Sequence, residues 1–221
     1  MSAVSLGHYA RFARQHGLRA AGFRAASRLY RLVVRNRVVL FSADLSRSEG
    51  VSALPAGMRV ARVSAESELR PADRNALLSY WDPAIKQRQI RRRFAQGATL
   101  WLVQDAERLA GFGWSSRGPC PSSAFVALGP DDVRCFDFEV FPGWRGRGIN
   151  PALIAHVLRT SAQEGARRAL LEVYEWNTPS LRSVAKLPFR PVGTARLIMI
   201  GDKNVVWSRR GAASHSTRAR V

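Results

Sequence analysis

Positions 58–63, MRVARV, are apolar apart from single arginines at 59 and 62, and predict a strand. The pattern then changes. Residues 71–96 are charged and rich in arginine and predict a helical stretch, and 99–104 form an apolar strand. A turn at 105–108 leads into a second apolar run at 109–116, so these two strands predict a hairpin. After a loop at 117–130, dense in Pro, Ser and Gly, comes a strongly apolar strand at 135–141. A helix at 149–164, a strand at 169–174, a helix at 177–186 and strands at 189–192 and 196–200 complete the series. Two strands, then alternating strands and helices, predict a mixed α/β domain in which the helices are crossovers.

Outside that series the chain changes character. Between residues 5 and 37 lie eight arginines and no acidic residue, with Phe12, Phe23, Leu29, Tyr30, Leu32 and Val33 giving a helical stripe interrupted by Gly17 and Gly22. This predicts one or two basic amphipathic helices, which either lie on anionic lipid headgroups or pack on the domain with a solvated basic face. Residues 37–45, with Val38-Val39-Leu40-Phe41, predict a short strand, and the Ser/Gly-rich run 46–57 a linker. The division expected is a basic helical extension with linker at 1–57, one α/β domain at 58–203, and a disordered basic tail at 204–221.

Charge narrows the partners. The 221 residues hold 35 basic and 16 acidic side chains, a formal net charge of +19, which points to a polyanionic partner: an anionic membrane surface, nucleic acid or an anionic small molecule. The two cysteines, Cys120 and Cys135, neither build a disulfide framework nor supply a metal cluster, and fit a reducing cytoplasm. The four histidines show no metal-ligand spacing, and His156 is expected to be a surface residue. No run approaches the roughly 20 apolar residues that cross a bilayer. The N-terminus lacks the apolar core of a cleaved signal, so the protein is expected in the cytoplasm, with the 5–37 segment as a candidate peripheral contact at the membrane's inner face.

The chemistry concentrates after Phe141-Pro142. There a strand ends and Arg145-Gly146-Arg147-Gly148-Ile149-Asn150 opens an amphipathic helix. Backbone N–H groups without intrahelical partners point outward at the helix's positive end, which makes an anion site. Gly146 and Gly148 let the backbone approach a phosphate, and Arg145 and Arg147 add charge-assisted donors. A pyrophosphate suits this loop.

The spacing Arg145-x-x-Gly148-x-Asn150, after an apolar strand ending in Pro, resembles the acyl-CoA signature of the GNAT N-acetyltransferases, with Asn150 departing at the last position. About 30 residues on, Asn177-x-x-Ser180, Val184, Lys186 and Pro188-Phe189 fall at the spacing of that family's second signature, and the hairpin ending Leu109-Ala110-Gly111-Phe112 resembles its second and third strands. The resemblance spans about 58–200. It implies a splayed, mostly antiparallel mixed sheet flanked by helices, with a basic helical extension before it. Acetyl-CoA or another acyl-CoA is the implied co-substrate, with no metal. Pantetheine would lie in the gap between the strands at 135–141 and 169–174, bonded to the backbone of Phe138 and Val140, and Ile149, Asn177 and Ser180 would belong to the cofactor site.

The reaction the resemblance implies needs a base for the amine, a donor for the carbonyl oxygen and an acid for the leaving thiolate. Glu139 is the first candidate for the base and Asp137 the second. Strand alternation places both opposite Phe136, Phe138 and Val140, so that they face one cleft. The family's usual thiolate acid is a Tyr where this chain has Val184, which leaves Tyr174 or Ser183 as the substitute, or no acid. Trp81 and Trp114 are candidate walls of an acceptor pocket. The acceptor is a small amine. Charge suggests an anionic or membrane-proximal one, such as an amino sugar or sugar nucleotide used in bacterial surface polysaccharide assembly. The competing reading is a non-catalytic module binding acyl-CoA or nucleic acid, and nucleic acid is not the partner the motifs favour.

Overall fold

A computed structural model of the chain describes residues 37–47, 53–79, 82–119, 125–200 and 203–210. The expected helices between 5 and 37 and Trp81 lie outside the described residues, apart from Arg37 itself. Eight strands and four α-helices are present in this part of the chain: β1 Arg37–Asp44, β2 Met58–Val63, α1 Pro71–Ser79, α2 Pro83–Ala95, β3 Thr99–Asp105, β4 Arg108–Arg117, β5 Asp132–Val140, α3 Ile149–Gln163, β6 Arg168–Tyr174, α4 Thr178–Val184, β7 Arg190–Ile200 and β8 Lys203–Arg210. All strands join one sheet in the order β2-β3-β4-β5-β6-β1-β7-β8, antiparallel at every pairing except β5–β6. No helix among the described residues is long and apolar enough to cross a membrane.

Helices cover both faces. On one, α3 buries Leu153, Val157 and Leu158 against Trp101, Val103, Cys135, Ala169 and Leu171. On the other, Leu77 of α1 and Ile90 of α2 pack on Leu100, Leu102, Phe112 and Trp114. Each of the buried Leu, Ile, Val and Phe side chains among these contributes about 1.5–3 kcal/mol through removal of apolar surface from water.

Several expectations change. The helical stretch at 71–96 is two helices: Asp82 caps α2 by accepting from the N–H groups of Ala84 and Ile85, with Pro83 at the first helical position, a start signal that interrupts the charged run. The strands at 189–192 and 196–200 are one, β7, whose register against β1 shifts at Leu40/Phe41 to accommodate the extra residue. The expected disordered tail begins inside β8, which pairs with β7 along its whole length; the Val205-Val206-Trp207 run carries strand propensity that the surrounding arginines mask. The strand at 37–44 is no appendage before a linker: β1 sits within the sheet, hydrogen-bonded to β6 on one side and β7 on the other.

Candidate active site

The parallel pairing of β5 with β6 is short. It runs from Asp132↔Arg168 to Cys135↔Leu171 and stops. Beyond it β5 follows β4 as far as Val140, while β6 follows β1 as far as Tyr174, so the two strands part into a fork. At the closed end Asp132 takes a two-point contact from Arg168, Nε–Oδ1 2.8 Å and Nη2–Oδ2 2.5 Å, and also accepts from Gly129 N–H at 2.7 Å. At the vertex the half-buried pair Arg134–Glu172, 2.8 Å, ties one arm to the other.

Strand geometry decides what faces the fork. Phe141 N–H donates to Ala110 O on β4, at 2.9 Å, so by alternation the peptide groups of Val140 and Phe138 point to the opposite side, where no strand pairs with them and Val140 O accepts from Arg145 Nε. These are the two positions assigned to pantetheine. Gly111 is needed where β4 backs onto β5, since a Cβ there would lie 2.7 Å from Glu139 O.

The glycine loop follows at the open end of β5. Gly146 has φ +80° and Gly148 +75°, the left-handed region that glycine enters without penalty, and a Cβ on either would project into open space. Gly148 is the N-cap of α3, and the first helical bond to it is Ala152 N–H to Gly148 O. Arg145 donates from Nε to Val140 O at 3.0 Å and lies 3.7 Å from Glu139; Arg147 donates to Gly143 O at 3.3 Å. Ile149 is buried in the core. Asn150 donates to Ser183 Oγ on α4 at 2.9 Å, and its own Oδ1 is buried without a protein donor. An open glycine cradle, a helix N-terminus and a buried free acceptor beside an unpaired strand edge fit a long phosphate-bearing, amide-bearing ligand such as acyl-CoA.

The strand that carries the two carboxylates departs from regular alternation. β5 carries a bulge: Trp114 pairs with Phe136 and Phe112 with Glu139, so Asp137 and Phe138 together oppose Gly113. Asp137 stands at φ +54°. The alternation predicted from sequence is therefore broken, and Phe136 and Glu139 share the α2 face instead of opposing one another, while Phe138 and Val140 turn to the α3 face. Nothing in the sequence punctuates this position, because the left-handed residue is an Asp and not a Gly. Asp137 is held by two cations from α2, Arg93 Nη1 at 2.6 Å and Lys86 Nζ at 3.7 Å. Lys86 is buried, with its ammonium 4.6 Å above the Phe112 ring, and Arg93 stacks on Trp114 and Phe136. Burial pushes the Lys86 ammonium below the ordinary lysine range; Asp137 opposes that shift and Arg93 reinforces it. Sequence reasoning missed Lys86, Arg93, Arg134 and Glu172, for a charged residue in an arginine-rich run gives no sign of the face it occupies.

On the other arm Tyr174 is exposed at 41% and stacks on Trp176, centroids 5.5 Å apart. Alternation along β6 puts it on the same face as Glu172, and hence as Phe136 and Glu139 across the fork. Asn177 caps α4 by accepting from Ser180 N–H at 3.3 Å, so both belong to the helix start. Val184 is core, and Trp114, at 1% exposure, is a packing residue and not a pocket wall. His156 is half-buried edge-on to Trp101, its imidazole shifted toward the neutral form by burial and then by Arg159. The Cys135 thiol is buried and pushed up to about 12 by desolvation.

A sheet that forks in front of a glycine-capped helix leaves a slot between two strands with a helix N-terminus at its open end. The sequence profile of the acetyltransferase (GNAT) family matches residues 64–189, and the chain belongs to that family. The fold agrees: similar structures include a GNAT-family protein from Novosphingobium aromaticivorans (TM-score 0.50, 19% identity, 73% of this chain and 62% of that one). A GCN5-related N-acetyltransferase from Sphaerobacter thermophilus aligns with TM-score 0.51 at 16% identity, over 85% of this chain and 56% of that one. A glucosamine N-acetyltransferase region of a fungal multi-domain β-N-acetylglucosaminidase aligns with TM-score 0.52 at 15% identity, over 77% of this chain and 22% of that one. The chain thus spans under two thirds of the length of these structures. No curated protein matches the sequence. The family is one of enzymes that move an acyl group from acyl-CoA to an amine.

Proposed function

We propose that this enzyme acetylates the amine of a small acceptor, with an amino sugar as the class best suited to the cleft, and that Glu139 is its base. The observation that carries the proposal is the fork itself: the Phe138 and Val140 peptide groups on its unpaired edge lead from the glycine cradle to a cleft bearing Glu139 on one arm and Tyr174 on the other. Bound acyl-CoA supplies an activated acyl carbon. Gly146, Gly148 and the α3 N-terminus hold its pyrophosphate, and the β5 edge orients its amides. Glu139 takes the proton that the acceptor's ammonium must lose, and the Tyr174 hydroxyl is the proton source on the sulfur side. The exposed Tyr174–Trp176 stack offers a flat apolar face of the kind sugar rings rest on. The net charge of +19 favours an anionic form of that sugar, nucleotide- or lipid-linked, and the 5–37 segment as a contact with anionic membrane.

Glu139→Gln tests this. Turnover with glucosamine and acetyl-CoA is expected to fall roughly 100- to 10,000-fold with unchanged acetyl-CoA affinity. A variant that keeps wild-type turnover removes Glu139 from the chemistry. The burial of Val184 where the family has its acid favours one second reading, a carrier of acyl-CoA without transferase activity; wild type that binds acetyl-CoA and turns over no amine supports it.

A further inference from the structure

The bulge at Asp137 raises a question that the acyl-transfer reading leaves open. A residue with a Cβ in the left-handed region is strained, and aspartate only less so than most. Such strain persists where surrounding structure over-determines it. Here the surrounding structure is α2. Its Arg93 and Lys86, seven residues apart and so on one helix face, converge on the same oxygen of Asp137, at 2.6 and 3.7 Å. Neither cation is cheap to place. Arg93 is 19% exposed, wedged on Trp114 and Phe136, and the Lys86 side chain is 6% exposed. Burying an ammonium is costly unless it is paired. The choice of residue is informative too, since the chain has 32 arginines and only three lysines. A lysine provides a compact point charge between the Phe112 ring and the bulge.

What the bulge controls is the strand beyond it. Without the extra residue, Phe138 and Val140 would exchange faces with Glu139, and their peptide groups would turn from the fork toward β4. We propose that Lys86 and Arg93 are positioning residues: from α2 they hold Asp137 in its left-handed conformation and so keep the Phe138 and Val140 peptide groups aimed into the fork. Asp137 is then an anchor of the β5 bulge, and Glu139 is left as the carboxylate for proton transfer. The inference rests on the fork being the acyl-CoA slot.

The test uses the fact that glycine adopts this backbone conformation without an anchor. Acetyl-CoA affinity is measured by calorimetry on the full chain for wild type, Asp137→Ala, Asp137→Gly, the double variant Lys86→Met/Arg93→Met, and that double variant carrying Asp137→Gly. Asp137→Ala and Lys86→Met/Arg93→Met are expected to weaken binding by about tenfold or more. Asp137→Gly is expected to stay within about threefold of wild type and to rescue the Lys86/Arg93 variant to the same level. Amide hydrogen exchange at Glu139 and Phe141, whose N–H groups face β4, read on the unliganded proteins, is expected to quicken in the first two and to return to wild-type rates with glycine. Failure of glycine to rescue either readout overturns the clamp and makes the two cations direct ligand contacts or simple packing. Wild type that does not bind acetyl-CoA defeats the acyl-CoA reading instead, and the exchange rates still decide the clamp.

Discussion

Asp132 closes the fork, and its replacement has a consequence that can be worked out from the contacts. The carboxylate is buried at 5% exposure, accepts Gly129 N–H at 2.7 Å and holds Arg168 at two points. Asp132→Ala leaves the Gly129 N–H without its acceptor, which costs about 1–3 kcal/mol. Arg168 has a side chain 49% exposed and turns to water, so the lost ion pair adds only about 1 kcal/mol. The sum is about 2–4 kcal/mol, or roughly 4–16 °C in melting temperature for a chain of this size. Asp132→Asn keeps an oxygen for Gly129 and should lose only about 1 kcal/mol. The effect also has a pH signature. Burial alone would raise this carboxyl's pKa, but the bonds from Arg168 and Gly129 outweigh it and hold it below its ordinary 3.8. A depressed carboxyl contributes its full stability above the unfolded value, about pH 4, and loses it as pH falls through the lower folded value. Urea unfolding of wild type and Asp132→Asn should therefore show a gap at pH 6 that narrows from pH 4 downward. An alanine variant within about 0.5 kcal/mol of wild type, or a gap that widens in acid, would refute the reasoning.

Two further outcomes are expected. The Cys135 thiol, buried and pushed up to about 12, should resist a thiol reagent at pH 8 in a folded Cys120→Ser variant and react once urea unfolds it, as followed by intact mass; labelling of the native variant would show that this strand opens. Tyr174→Phe keeps the stack on Trp176 and removes the hydroxyl, so turnover should fall by about tenfold or more with acetyl-CoA affinity intact, and an unchanged rate would leave the thiolate without a protein acid.

Much of this fold was legible from sequence, and for physical reasons. MRVARV is mostly apolar because both faces of β2 meet the core, Met58 and Val60 on one and Ala61 and Val63 on the other, and the apolar run ending at Phe141-Pro142 followed by a glycine-rich loop marks a strand feeding a helix N-terminus. The parts that were not legible depend on pairing across long separations. β1 carries an apolar run that any edge or interior slot would accept, and only tertiary packing places it between β6 and β7. The bulge at Asp137 is stabilised by Lys86 and Arg93, residues 51 and 44 positions earlier, so no local pattern announces it, and Phe136 was assigned to the face of Phe138 and Val140 as a result. Arg134 and Glu172 read as ordinary strand charges until the register of β5 on β6 brings them together.

The most direct test is calorimetric titration of the full chain with acetyl-CoA, beside Gly148→Glu. Gly148 stands at φ +75° with open space where a Cβ would go, so a glutamate there costs about 1–2 kcal/mol of backbone strain and places a negative charge in the phosphate cradle. The prediction is one acetyl-CoA per chain for wild type and no measurable binding for a variant that still unfolds cooperatively. Wild type that binds neither acetyl-CoA nor longer acyl-CoAs, or a Gly148→Glu variant that binds as wild type does, would contradict the assignment of this loop and fork to acyl-CoA.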